Sequence, residues 1–247
     1  MAFNRFENVA SRQAGVRSDV EAGLRAYMLR VYNYMALGVA LTGAVVLFMA
    51  ASPSLMTTLA EGPMKWVLFI AVLGMGWFSG RILTMRSIAM AQGFFWVYAA
   101  LWGVMISPMV AWFLQSSAGI MDVARAFFIT AGMFAGSSLY GYVTKRDLSA
   151  FGRFFMMASI GLMLAMLVNV FFVQSTGFSF LTSIVAVLLF AGITAWETQQ
   201  IKGYYDQASP EGAVARMAIF GALQLYGSFV VMFIHVLNLL GMMRNSN

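Results

Sequence analysis

The feature that most constrains the fold is a succession of long apolar stretches separated by short polar breaks. A helix needs about 20 apolar residues to cross the hydrocarbon of a bilayer. The 247 residues are 61% hydrophobic and only 10% charged, a composition that cannot cover a water-soluble surface. We therefore predict an all-α polytopic membrane protein with seven transmembrane helices, at residues 31–50, 65–83, 88–112, 124–143, 154–173, 180–200 and 217–241.

Residue usage and missing motifs exclude several functions. The chain has no Cys, which excludes thiol catalysis, iron–sulfur clusters and zinc–thiolate sites. No HExxH, GxSxG or GxxxxGK[ST] motif is present. His235, the single histidine, and Ser79 are expected about a membrane thickness apart, which argues against a Ser–His dyad. We predict that the chain is not an enzyme, holds no cofactor and binds no nucleic acid.

The cations predict the orientation in the membrane, because cytoplasmic loops carry the excess of Lys and Arg. With the N-terminus inside, 12 cations lie on the cytoplasmic side and 3 outside, namely Lys65, Arg125 and Arg244. We expect a cytoplasmic segment at 1–30 without a cleavable signal, a transmembrane domain at 31–241 and a short C-terminal tail at 242–247 across the membrane. A re-entrant segment would return the C-terminus to the cytoplasm.

Glycines within the spans predict close helix packing, because small residues let backbones approach where no hydrophobic force joins helices in lipid. The chain has 23 Gly. Those singled out within spans are Gly38, Gly43, Gly74, Gly76, Gly80, Gly132 and Gly136.

Glu197 is the carboxylate with the most functional potential. It is predicted near the cytoplasmic end of the sixth span, where partial desolvation and the negative end of the helix dipole favour its protonated form. A simple interfacial anchor is an equal alternative, because Trp196 and Lys202 also suit the interface.

The seventh span carries a polar stripe that must face the bundle. Its residues recur at spacings of 4, 7 and 3, which places them on one helical face. Interhelical hydrogen bonding is the favoured use, and lining of an aqueous pathway is the alternative. The stripe consists of Gln224, Ser228, His235 and Asn238.

Three stretches resemble motifs of the Bax inhibitor-1 family. Lys145-Arg146-Asp147-Leu148-Ser149 resembles its basic-Asp-Leu-Ser loop. The run from Trp196 to Lys202 resembles its aromatic-Asp-Thr-Gln-x-Ile motif, and the run from Ala222 to Phe229 resembles its Ala-Leu-x-Leu-Tyr-x-Asp-Phe motif. Ile106-Ser107-Pro108 also matches a Leu-Ser-Pro element. The likeness covers about residues 25–241.

The resemblance implies six helices around a central seventh and, in bacterial relatives, a pH-sensitive calcium leak in the inner membrane. In those relatives two acidic residues, one in each late motif, share protons and pair with an arginine at the end of the second helix. Glu197 stands at the first acidic position, and Arg86, or Arg81 one turn earlier, stands near the arginine position.

Ser228 stands at the second acidic position, so the chain departs from the di-acidic pattern. One carboxylate and one serine cannot produce a coupled titration, and they offer at best a weak calcium site, because calcium prefers six to eight oxygen ligands. Relatives lacking the second acid are associated with modulation of a membrane-anchored AAA protease of the FtsH type.

The sequence therefore leaves two candidate functions. The leading prediction is an inner-membrane leak for calcium or other cations, gated on the cytoplasmic side by a Glu197–arginine pair. The alternative is a non-conducting protein that regulates a membrane-anchored AAA protease through its Arg-rich N-terminal segment.

Overall fold

A computed structural model describes residues 3–52, 54–55, 58, 62–115, 119–205 and 209–245, with side chains described from residue 19 to 244 within these ranges. Throughout these ranges the regular structure is helical. The main helices are α1 Phe3–Ala50, α2 Met64–Trp77, α3 Ile88–Leu114, α4 Gly119–Val143, α5 Gly152–Val168, α6 Thr176–Tyr204 and α7 Glu211–Asn245.

Six of these helices are long and apolar enough to cross a membrane, counting α5 together with the 3-10 turn before it and the π-helical turn after it, Ser149–Val173, and α2 is the exception. It has 14 residues and is followed by a 3-10 helix at Ser79–Thr84. The predicted second span, 65–83, therefore combines two helical types. Six crossings follow from length and composition, and the seventh stays a prediction.

The first helix extends well beyond the predicted first span. It is continuous from Phe3 to Ala50, and Asp19–Ala50, the part of it whose side chains are described, is long and apolar enough to cross a membrane. Tyr27 and Met28 are only 3% exposed, so α1 already packs into the bundle before residue 31. The structure shows no helix boundary at residue 30.

The last helix is the most buried of the long helices. It packs against α1, α3, α4, α6 and the 3-10 helix after α2. The fifth helix packs on α6 and is largely exposed, which differs from an even ring of six around a central seventh. The connections gather at two ends: Arg216 near the start of α7 donates to the Leu83 carbonyl at 3.2 Å, and Trp66 near the start of α2 stacks on Phe171 after α5, with ring centroids 5.1 Å apart.

We call one of these the basic end, because it holds most of the described cations. The other, which holds Lys65, Arg125 and Arg244, we call the opposite end. The basic end carries Arg25, Arg30, Arg81, Arg86, Lys145, Arg146, Arg153, Lys202 and Arg216.

Asn169 and Ser175 make the tight connection between α5 and α6 at the opposite end. The Asn169 side chain accepts from the Ser175 amide at 3.0 Å and donates to the Ser175 carbonyl at 3.2 Å. Gln174 between them adopts a left-handed conformation with φ 51°. Ser175 then caps α6 by accepting from the Phe178 amide at 3.3 Å.

Only part of the glycine prediction survives. A Cβ at Gly38 would lie 2.7 Å from the Phe95 ring, so this glycine does permit close packing. A Cβ at Gly76 would make ordinary contact, 3.4 Å from Tyr98 Oη. For the remaining five, Gly43, Gly74, Gly80, Gly132 and Gly136, no described atom lies within 4 Å of such a Cβ.

Candidate functional site at the α6–α7 seam

Glu197 and Ser228 meet at the contact between α6 and α7. Glu197 is 8% exposed and Ser228 is 3% exposed. Ser228 Oγ donates a hydrogen bond of 2.7 Å to Glu197 Oε2. The positions that the resemblance pairs as two acids are therefore adjacent here, as a carboxylate and a hydroxyl.

Glu197 lies farther from the end of its helix than the sequence predicts. The predicted sixth span ends at residue 200, whereas α6 continues to Tyr204, seven residues beyond Glu197. At 1.5 Å per residue this is about 10 Å of helix. The dipole effect falls off within the last turn, so burial, and not the helix end, dominates the surroundings of this carboxylate.

The structure does not bring Arg81 or Arg86 to Glu197. Both arginines are exposed, and within the described residues neither forms an ion pair with Glu197. Arg81 lies in the 3-10 helix after α2, with its guanidinium carbon 6.0 Å from the centre of the Phe78 ring. A Glu197–arginine pair therefore requires a conformation other than the one described.

Tyr98 of α3 is a neighbour of the site that the sequence did not single out. Its hydroxyl lies 3.8 Å from where a Cβ on Gly227 would stand and 3.4 Å from one on Gly76. Tyr98 is 6% exposed and its ring packs edge-on against Tyr226, with centroids 5.9 Å apart. The tyrosine thus bridges α2 and α7 one residue from Ser228, and no spacing signal in α3 marks it.

A chain of hydrogen bonds links Tyr32 and Ser138 to Thr198, the residue after Glu197. Tyr32 Oη of α1 lies 2.6 Å from Ser138 Oγ of α4, and Ser138 Oγ lies 3.0 Å from Thr198 Oγ1 of α6. Thr198 in turn donates to the Thr194 carbonyl at 2.8 Å. Three helices are therefore linked by hydroxyls at the residue next to Glu197.

The loop motif at 145–149 and the motif at 196–202 contact each other at the basic end. Gln199 Oε1 accepts from the Leu148 amide at 2.8 Å, and Gln199 Nε2 donates to the Arg146 carbonyl at 2.8 Å. Gln200 Nε2 donates to Ser149 Oγ at 2.9 Å. Two sequence motifs treated separately are thus one structural unit that fixes the end of α6.

The part of the polar stripe nearer the opposite end bonds to Ser183 of α6. Ser183 Oγ accepts from Asn238 Nδ2 at 3.0 Å and lies 3.2 Å from His235 Nδ1. Ser183, and not Ser79, is therefore the serine beside the histidine. Gln224 is partly buried, and its Oε1 has no hydrogen-bond partner within the described residues.

The described side chains do not form a cage for a resident metal ion. Among them no three His, Asp or Glu residues come together. Glu197 and Ser228 supply one carboxylate and one hydroxyl, against the six to eight oxygens that calcium prefers.

A second buried carboxylate, Asp122, lies at the opposite end. Its Oδ2 lies 3.2 Å from Arg244 Nη1, and its Oδ1 lies 3.4 Å from Arg125 Nη1. Arg244 also lies 5.2 Å from the ring centre of Trp112 and 5.3 Å from that of Phe113. The end of α7 is thereby attached to the beginning of α4.

Comparisons with known proteins agree with this architecture. The family model described as "Inhibitor of apoptosis-promoting Bax1" matches residues 24–245. Protein RP147 of Rickettsia prowazekii is 36% identical over 225 residues, covering 91% of this chain and 93% of that protein. The inner membrane protein YbhL of Escherichia coli K12 is 35% identical over 223 residues, covering 89% of this chain and 93% of that protein. The motif resemblance is confirmed, and the chain belongs to the Bax inhibitor-1 family of membrane proteins.

Proposed function

We propose that the chain is a pH-sensitive leak for calcium or other cations, in an inner membrane like that of YbhL, with its gate at the Glu197–Ser228 contact. The observation that carries the proposal is a single buried carboxylate at the seam of two long apolar helices, held by one hydroxyl. An ionised carboxylate in such surroundings is costly without a counter-charge, and intramembrane acids commonly mark ion pathways.

The hydrogen bond supplies the proton dependence. A serine hydroxyl binds an ionised carboxylate through a charge-assisted hydrogen bond, roughly twice as strong as a neutral one. This bond holds α6 against α7 while Glu197 is ionised. Acidification protonates the carboxylate, weakens the bond and lets the seam open. The exposed Arg81 and Arg86 are the candidates to pair with Glu197 in a second conformation.

Cation preference follows from the number of carboxylates. Glu197 alone attracts cations but gives little preference for divalent ones, because Ser228 adds a ligand oxygen and no charge. The pH dependence therefore comes from one carboxylate and not from a proton shared between two.

Calcium flux into proteoliposomes at several internal pH values tests the proposal. The parent should leak more at acidic pH, and Glu197→Gln, which mimics the protonated acid, should leak with little pH dependence. Ser228→Asp should restore a second carboxylate and strengthen divalent-cation binding. Glu211→Gln, at an exposed acid outside the seam, is the matched control and should behave as the parent.

Identical, pH-independent traces from the parent, Glu197→Gln and Ser228→Asp would contradict the leak. The second candidate would then lead, namely a non-conducting regulator of a membrane-anchored AAA protease. The observation that favours it is the hydroxyl at 228, which leaves the pair with one acid. Copurification with such a protease, lost on removal of residues 2–18, would support the regulator.

A further inference from the structure

A groove at the basic end separates α1 from α4. The first helix packs on α3 and α7, whereas α4 packs mainly on α6 and α7 and less on α3, so a gap between α1 and α4 is left open along one side. The Tyr32–Ser138 hydrogen bond of 2.6 Å spans this gap at its floor. The resulting cavity has a volume of about 480 Å³.

The groove has apolar walls and a cationic mouth. Its walls include Leu29 of α1 and Phe134 of α4, and Leu29 is 53% exposed. Arg25, one helical turn before Leu29, lines it at the basic end. Lys202 approaches the same mouth, since its Nζ lies 4.8 Å from the ring centre of Tyr142, which also lines the groove.

This combination fits one class of occupant. An acyl chain matches walls that face lipid, and an arginine at the level where α4 ends can bind a phosphate through two parallel hydrogen bonds. Basic residues near a membrane surface attract anionic headgroups. We propose that the groove is a binding site for an anionic phospholipid of the leaflet at the basic end, with its phosphate at Arg25 and one acyl chain between α1 and α4.

The site does not depend on the proposed leak. The floor of the groove nevertheless leads through Ser138 to Thr198, next to Glu197. A lipid that sets the spacing of α1 and α4 therefore acts on the same segment of α6 as the seam. Binding is the property to be measured first.

Native mass spectrometry of the full chain in detergent tests the site, with phosphatidylglycerol, phosphatidylethanolamine and inorganic phosphate as separate probes. Phosphatidylglycerol should bind more tightly than phosphatidylethanolamine, and inorganic phosphate should not compete. Arg25→Gln should weaken phosphatidylglycerol about tenfold or more through loss of a charge-assisted contact. Ala135→Trp, which fills the groove from α4, should weaken it similarly.

Two matched controls separate the groove from general attraction. Arg153→Gln removes an exposed cation of the basic end outside the groove. Gly136→Trp adds the same side chain next to Ala135, where no described atom lies within 4 Å of a Cβ. Both should bind as the parent, and melting temperatures identify a variant that does not fold.

Three outcomes would overturn the site. Equal affinity for the two phospholipids would remove the role of the headgroup charge. An equal loss from Arg25→Gln and Arg153→Gln would mean attraction to the whole basic end. A dimer that Ala135→Trp converts to monomer would place a second copy of the chain in the groove.

Discussion

At the scale of single residues, Ser228 determines the chemistry that the Glu197 carboxylate can perform. The hydroxyl donates one hydrogen bond at 2.7 Å and carries no charge, so it steadies the carboxylate without neutralising it. An aspartate at the same place would create two acids that titrate together. The chemistry of the seam is therefore that of one proton and one hydrogen bond, with any counter-charge brought by an arginine or a cation.

Removing the Ser228 hydroxyl should destabilise the fold. Ser228→Ala leaves a buried carboxylate without its partner, which we expect to cost about 1–3 kcal/mol in the free energy of unfolding. Ser107→Ala is the control, because Ser107 is fully buried but donates to the Gly103 carbonyl of its own helix at 2.6 Å. The free energy of unfolding of Ser107→Ala should therefore stay close to that of the parent. An equal decrease in the free energy of unfolding of Ser228→Ala and Ser107→Ala, measured by chemical unfolding, would contradict a special role for Ser228.

Asp147 gives a pH-dependent prediction outside the membrane-spanning helices. Its Oδ1 accepts from the Ser149 backbone amide at 2.9 Å, and this bond lowers the pKa of the Asp147 carboxyl. A lowered pKa means that the ordering is present above the pKa of a free Asp, about 4, and is lost as the pH falls through the lower folded value. The loop at 145–149 should therefore stay ordered under mild acid.

Hydrogen exchange at the Ser149 amide measures this ordering. After correction for intrinsic rates, Asp147→Ala should exchange faster at neutral pH, and Asp147→Asn, which keeps a side-chain oxygen, should remain closer to the parent. An unchanged rate in Asp147→Ala would show that Gln199 alone orders the loop.

At the scale of elements, the helices and their approximate positions are predictable from the sequence. The places where two helices approach each other closely are not. Apolar length predicts α3 and α7 well, because the cost of burying polar backbone in lipid restricts spans to helices. Glycine in a span, however, marks a close approach only where another helix crosses it. Gly141 was not singled out, yet a Cβ there would collide with the Ala195 carbonyl of α6, whereas Gly136 faces open space.

Alanine at these two glycines of α4 should have opposite effects. Gly141→Ala would push the α6 backbone away and should destabilise the bundle by about 1–3 kcal/mol. Gly136→Ala meets no described atom within 4 Å and should stabilise by up to about 1 kcal/mol through helix propensity. Thermal unfolding in detergent compares them, and a gain from Gly141→Ala would refute the close contact.

The candidate site was predictable only where motifs carried it. Glu197 and Ser228 were selected from two motifs, and the structure brings them together. The position of Arg81 was not predictable, because it depends on α2 ending at Trp77 and on the 3-10 helix that follows. The position of Tyr98 beside the site was not predictable either, because no sequence pattern distinguishes an aromatic residue next to a site from one that packs in an apolar helix.

Charge is distributed unevenly over the whole molecule, and this fixes the expected orientation. Arg25 lies in a groove with Tyr142 at one end of α4, while Arg244 binds Asp122 near the other end. Arg25 of α1 and the end of α7 therefore lie at opposite ends of the bundle. The excess of cations at the basic end predicts that this end faces the cytoplasm.

The absence of Cys makes this orientation, and the crossing by α2, directly testable. Single cysteines at Lys65, Arg86, Lys145 and Asn247 can be labelled in spheroplasts with a membrane-impermeant maleimide, with detergent-treated cells showing the full reaction. If the basic end is cytoplasmic and α2 spans with its 3-10 extension, Lys65→Cys and Asn247→Cys should react from outside, and Arg86→Cys and Lys145→Cys only after permeabilisation. Reaction of Lys65→Cys only after permeabilisation, with Asn247→Cys still reacting from outside, would contradict an outward start of α2. Labelling of Lys145→Cys from outside would reverse the orientation, because that loop lies between the stretches Gly119–Val143 and Ser149–Val173, which contain α4 and α5 and are both long enough to cross.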